Sequence, residues 1–132
     1  MKYKNRKYHH RHGESLAEEK ERLTGLAIKL GLIDIKHFPH ETGKMAGFSE
    51  QFGTHLTSFL QGMSAKGESR FDENTMLDVI LSYVKKYPKC NAELYEYVRT
   101  GDKKENVIDL RRICELMISL MIRLNDEGVA YQ

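Results

Sequence analysis

Residues 103–126, KKENVIDLRRICELMISLMIRLND, decide the fold that this sequence can adopt. Apolar residues recur there at alternating steps of three and four, which is the heptad spacing of one face of a long helix. Further apolar residues beside this seam widen the surface that such a helix can bury. We predict that this segment is the central helix of the domain or the element that forms a dimer. The seam comprises Val107, Leu110, Cys114, Met117, Met121 and Leu124.

The N-terminal helix is marked by a capping box. Ser15 and Glu18 have the spacing at which the serine hydroxyl accepts from the third helical amide while the glutamate reaches back to the cap amide. Leucine and alanine residues then recur at helical spacing, and Gly31 provides a stop. We predict a first helix near residues 16–30.

The next segment, residues 31–48, is less regular. Ile33, Ile35 and Phe38 alternate loosely, which favours a short extended piece. Pro39 and Gly43 favour loop structure instead. We therefore expect an irregular connection to the second helix.

The second helix is predicted to start at Ser49, because apolar residues from Phe52 to Met63 lie on one helical face. Residues 62–69 favour a linker. Asp72 is the expected cap of a third helix that is apolar nearly all round and therefore central.

A short fourth helix completes the set. Pro88 ends the third helix, Asn91 is the expected cap of the fourth, and Gly101 ends it. We thus predict an all-α fold, with about five helices in one compact domain over residues 14–132. Residues 1–13 are predicted to be a basic, histidine-rich, mobile arm.

Charge is unevenly distributed along the 132 residues. The first twelve hold five Lys or Arg residues and no acid, whereas the other 120 hold 16 basic and 19 acidic residues. Such asymmetry indicates a polyanionic partner. Cations can neutralise phosphates, and tyrosines among them can stack on unpaired bases. The predicted contacts in the arm are Lys2, Tyr3, Lys4, Arg6, Lys7, Tyr8 and Arg11. The competing interpretation is a solvated tail that only aids solubility.

A second basic region runs from Lys85 to Arg112. Its short helix, turn and long helix allow a helix-turn-helix variant. The turn is loosely defined, however, and the long helix is too apolar beyond Arg112 to lie open in a groove. Helix ends decorated with lysine are the more ordinary explanation. If this region does bind nucleic acid, its contacts are Lys103, Lys104, Arg111 and Arg112.

Catalytic and metal-binding patterns are weak. The histidines at 37 and 40 flank a proline, which prevents both rings from projecting from one helical turn. The sequence from Thr42 to Met45 resembles the end of a phosphate-binding loop, but Phe38 stands where the leading glycine is needed. We therefore predict no cofactor, no metal site and no enzyme activity.

Two cysteines, Cys90 and Cys114, form no framework, and we expect free thiols in a cytoplasmic protein. The longest apolar run is too short to span a bilayer, and no apolar stretch follows the first cations as in a signal peptide. A membrane partner is therefore not expected.

The sequence leaves two main functional hypotheses, and a metal-dependent enzyme built on the histidines is a distant third. The first is a small, non-enzymatic accessory or regulatory protein that contacts DNA or RNA through the basic arm. The second is a helical protein-interaction module, such as an inhibitor, adaptor or assembly subunit. In that case the seam of the last helix is the interface to a protein partner or to a second copy in a homodimer.

Overall fold

The computed structural model describes residues 13–38, 43–100, 104–126 and 128, without the side chains of residues 104 and 105. Local capping explains where several helices start. Ser15 forms the predicted capping box with Glu18, and Asp72 accepts from the amide of Thr75. The elements are α1 Leu16–Lys29, β1 Ile33–His37, β2 Lys44–Phe48, α2 Glu50–Ala65, α3 Glu73–Lys86, α4 Ala92–Arg99 and α5 Lys104–Asp126.

The five helices appear in the predicted order, with two adjustments. The second helix, α2, continues to Ala65 and so occupies part of the segment that we predicted to be a linker. The side chain of Asn91 does not cap α4. It donates instead to the carbonyl of Tyr87 and accepts from the hydroxyl of Tyr83.

A β-hairpin corrects the prediction of an all-α fold. Strands β1 and β2 pair antiparallel, with Ile33 opposite Phe48 and His37 opposite Lys44. Ile33 and Phe48 are fully buried and share the face that packs into the core. The second strand was missed because its sequence, KMAGF, contains lysine, alanine and glycine, which are depleted in strands.

A glycine on β2 makes room for an aromatic ring. Gly47 is buried, and a Cβ built on it would lie 2.8 Å from Cζ of Phe38 and 3.1 Å from Cδ of Lys36. The ring of Phe38 therefore covers the position where a larger residue would place its side chain. This close approach fixes the end of β1 against β2.

Gly47→Ala is expected to destabilise the protein by roughly 1–3 kcal/mol, the usual cost of overpacking. Gly25→Ala is the matched control, because Gly25 lies in α1 and nothing stands within 4 Å of its Cβ position. There, alanine should stabilise the helix by roughly 0.5–1 kcal/mol. The midpoint of urea unfolding should therefore move to lower urea for Gly47→Ala and to higher urea for Gly25→Ala. A shift to higher urea for Gly47→Ala would contradict the packing of Phe38 on the hairpin.

One apolar core joins all the elements. Helix α5 packs against α3, α1 and β2, while α2 and α4 pack on α3. The predicted central positions of the third and fifth helices are thus confirmed. The fully buried side chains include Phe52, Met76, Ile80, Ile113 and Met117. None of the helices, over the residues described, combines the length and apolar content needed to cross a membrane.

Candidate functional site

Most of the predicted nucleic-acid contacts lie outside the described residues. This holds for every predicted contact in residues 1–12 and for Lys103, and the side chain of Lys104 is also outside. The geometry therefore bears on two of them only, Arg111 and Arg112. These two neighbours in sequence prove to have different environments.

Arg111 is exposed, whereas Arg112 is tied into the domain. The Arg111 guanidinium donates to Oδ1 of Asn74 on α3 at 2.9 Å. Arg112 pairs at 2.8 Å with Glu19 of α1 and at 2.7 Å with Glu115 of its own helix. The hydrogen bond to Glu19 is the main reason why the pKa of Arg112 is raised. Arg111 can thus meet an anion from solvent, but Arg112 already balances two carboxylates.

A second arginine network joins the same two helices. Arg22 of α1 donates to Glu14 at 2.7 Å and to Asp109 of α5 at 3.0 Å. The hydrogen bond to Glu14 is the largest factor that raises the pKa of Arg22. Asp109 is buried, so this ion pair is largely shielded from solvent. Two arginine–carboxylate networks therefore fix α1 against α5.

A groove opens between α1, the hairpin and α5, with a volume of about 770 Å³. Its apolar lining is partly open to solvent, since Leu16 is 67% exposed and Ile35 is 54% exposed. A cavity of this size falls within the range of ligand sites. The apolar side chains that line it are Leu16, Leu23, Ile35, Met45, Ala46, Leu116 and Leu120.

The rim of this groove is cationic. Lys20 and Lys44 are exposed there, and neither makes an ion pair with any described residue. Arg123 also lines the groove and donates to Sδ of Met45 at 3.6 Å. Among the described lining residues, the two carboxylates, Glu19 and Glu115, are both bonded to Arg112. The groove thus presents an apolar floor beside excess positive charge.

The apolar seam of α5 belongs mainly to the chain's own core. Cys114, Met117 and Leu124 are buried, whereas Val107 is 45% exposed. The remaining two, Leu110 and Met121, are half-buried and pack against the core. Burial raises the pKa of the Cys114 thiol to about 12, so this cysteine is an apolar core residue at neutral pH.

A further cationic surface lies at the end of α3, and we call Lys85, Lys86, Tyr87 and Lys89 the lysine–tyrosine patch. Its three lysines are exposed and make no ion pair with a described residue. Nζ of Lys86 lies 5.4 Å from the centroid of the Tyr87 ring, a cation–π arrangement. These residues adjoin in sequence, yet the site prediction omitted them because lysines at a helix end have an ordinary explanation.

His55 of α2 adds a titratable group beside this patch. Its ring centroid lies 6.4 Å from that of Tyr87, and its Nε2 lies 2.8 Å from Oγ of Ser82. Burial, and then the charge of Lys86, lower the pKa of His55. The Ser82 hydroxyl also lies 2.9 Å from the carbonyl of Val79, and when it donates there Nε2 of His55 is the donor to the serine oxygen. An activated serine needs the opposite direction of donation.

Metal-binding geometry is also missing from the described part of the chain, where no three His, Cys, Asp or Glu side chains form a candidate group. No protein-family model, curated protein or solved structure matches the chain. Function must therefore be inferred from the charges and the geometry of this chain's own residues.

Proposed function

We propose that this protein is a small, non-enzymatic accessory or regulatory protein that binds nucleic acid through its N-terminal arm. The observation that carries the proposal is the presence of five cations and no acid in the first twelve residues. Cations at this density neutralise phosphates and release counterions, which favours binding to any nucleic acid. Arg6, Lys7 and Arg11 hold the phosphates. Lys2 and Lys4 assist, and Tyr3 and Tyr8 stack on unpaired bases.

Contacts from the helical domain add to those of the arm. Arg111 is exposed and carries no carboxylate partner among the described residues, so it suits a phosphate contact. Lys103 and Lys104 precede it in sequence and extend the same basic segment. Arg112 contributes least, because Glu19 and Glu115 balance its charge. A cytoplasmic location, argued from the unpaired cysteines, is part of the same proposal.

The test is a full-length triple variant, Arg6→Gln, Lys7→Gln and Arg11→Gln. We expect weaker binding to both single-stranded and duplex oligonucleotides. We also expect the slope of log K against log salt concentration to fall by roughly 2 to 3 units, because each phosphate contact contributes about 0.7 to 0.9. Fluorescence anisotropy across a salt series measures both quantities.

The control variant is Lys29→Gln, Lys66→Gln and Arg70→Gln. It lowers the net charge by the same amount, but on the helical domain and not on the arm. These three residues are exposed and lie outside the arm, the groove and the lysine–tyrosine patch. The control should bind as the unmodified protein does. Equal slopes for the arm variant, the control and the unmodified protein would mean that the arm is only a solubility tail.

A protein-interaction module is the second candidate, and the groove favours it. Three residues of the α5 seam are enclosed in the core, so the seam offers little surface to a protein partner or to a homodimer. The groove instead exposes apolar side chains at a concave surface, as interaction sites do. An inhibitor, adaptor or assembly subunit would use this groove.

A further inference from the structure

The groove between α1, the hairpin and α5 leaves apolar side chains in contact with water. Leu16 and Ile35 are among the most exposed large apolar residues of the described chain, and both line it. Half-buried Met45 and Leu116 extend the same lining. Apolar surface gathered in a concave site is typical of a site that another molecule covers. A methionine in the lining also lets the surface adapt to its occupant.

The positive charge of the rim determines which kind of molecule can bind in the groove. Lys20 and Lys44 line the groove, while the carboxylates among its described lining residues are bonded to Arg112. An occupant that carries acidic groups beside apolar ones would match both the rim and the floor. The charge of such an occupant is opposite to that of the chain's own first twelve residues, which hold five cations and no acid.

A nucleic acid matches this groove poorly. Single strands bind by stacking their bases on aromatic rings. The apolar part of the lining contains leucine, isoleucine, methionine and alanine, and none of the lining residues that the structure describes is aromatic. Exposed aliphatic side chains offer nothing to a phosphate group. The apolar floor therefore distinguishes this surface from one that serves only to attract phosphates.

We infer that this groove binds an acidic amphipathic helix of a partner protein. Two helices, α1 and α5, form its walls, and a helix seated between them inserts side chains spaced at i, i+3 or i+4, and i+7. Its apolar face covers Leu16, Ile35 and Leu116, and its acidic residues reach Lys20 and Lys44. This binding is independent of the arm and of the proposed nucleic-acid function.

The first experiment selects binders from a displayed library of random helical peptides against the full-length protein. We expect enrichment of peptides with net negative charge and with apolar residues at the helical spacing given above. The inference would be overturned if the enriched peptides were neutral or basic. It would also be overturned if the selection enriched no class of peptide.

The second experiment locates the binding site of one enriched peptide by fluorescence anisotropy. Lys20→Glu with Lys44→Glu should weaken binding about tenfold, because both contacts become repulsive. Ile35→Ser should weaken it by a similar factor through the loss of apolar contact. Lys85→Glu with Lys86→Glu is the control, since it makes the same charge change on the lysine–tyrosine patch, and its affinity should stay within about twofold.

Each variant changes exposed residues, so its circular dichroism should match that of the unmodified protein. The urea midpoint of the Lys85→Glu, Lys86→Glu control should fall slightly, because it replaces cations with anions at the C-terminal end of α3. Unchanged peptide affinity in both groove variants would overturn the inference. So would a groove variant that loses affinity for single-stranded DNA but keeps its affinity for the peptide. The arm variant Arg6→Gln, Lys7→Gln, Arg11→Gln should still bind the peptide, which separates this inference from the nucleic-acid proposal.

Discussion

Met117→Asp is expected to abolish cooperative folding at neutral pH. Met117 is fully buried in α5, at 0% exposure, among the apolar residues of the core. Removing the buried methionine side chain alone would cost about 2–5 kcal/mol. The new carboxylate would also be buried among apolar side chains without a cation to pair with it, which lowers the free energy of unfolding further. The total approaches the whole stability of an ordinary domain, about 5–15 kcal/mol. Circular dichroism and size-exclusion chromatography measure the outcome.

Ile122→Asp is the matched control for this substitution. It introduces the same charge into the same helix, but Ile122 is 54% exposed. Its effect should stay within about 1 kcal/mol. A folded Met117→Asp protein of unchanged stability would show that α5 is placed wrongly. A folded monomer in place of a wild-type dimer would instead make the α5 seam an interface between copies.

The helices are predictable because their determinants are local. A capping box needs only Ser15 and Glu18, and a helical face is visible within one segment of sequence. The hairpin depends on contacts that local patterns do not contain. Lys44–Phe48 becomes a strand because Ile33–His37 lies beside it and because Phe38 covers Gly47. Strand pairing of this kind overrides a weak local preference.

The charged residues of the candidate sites were visible in the sequence, but their partners were not. Arg111 and Arg112 looked equivalent as cations near the start of a helix. The fold brings Glu19 to Arg112 across 93 residues of sequence and leaves Arg111 exposed. The groove was equally hidden in the sequence, since its lining comes from three separate segments, α1, the hairpin and α5. Sequence predicts which residues carry charge, and only the packing decides which charges remain available.

Arg112→Met is expected to reduce the free energy of unfolding by about 3 kcal/mol, the lower end of the cost of breaking a buried ion pair. Glu19 is buried, at 3% exposure, and its Oε1 lies 2.8 Å from the Arg112 guanidinium. Methionine keeps much of the apolar stem but removes the cation that balances this carboxylate. Arg112 itself retains 28% side-chain exposure, which is why the lower end of the range applies. Urea unfolding at neutral pH measures the loss.

A double-mutant cycle separates this ion pair from simple packing. Glu19→Gln removes the buried charge, so the double variant Glu19→Gln, Arg112→Met should be more stable than Arg112→Met alone, because the carboxylate that Arg112 balanced is then absent. Arg111→Met is the matched control, because Arg111 is exposed and its hydrogen bond within the described part of the chain is to the neutral amide of Asn74. It should cost less than about 1 kcal/mol. Equal losses of stability for Arg111→Met and Arg112→Met, with strictly additive energies in the cycle, would mean that the Glu19–Arg112 pair does not couple α1 to α5.

A coupling of the expected sign would instead establish that Arg112 is occupied in holding the wall of the groove. It would thereby explain why Arg112 is unavailable to a phosphate.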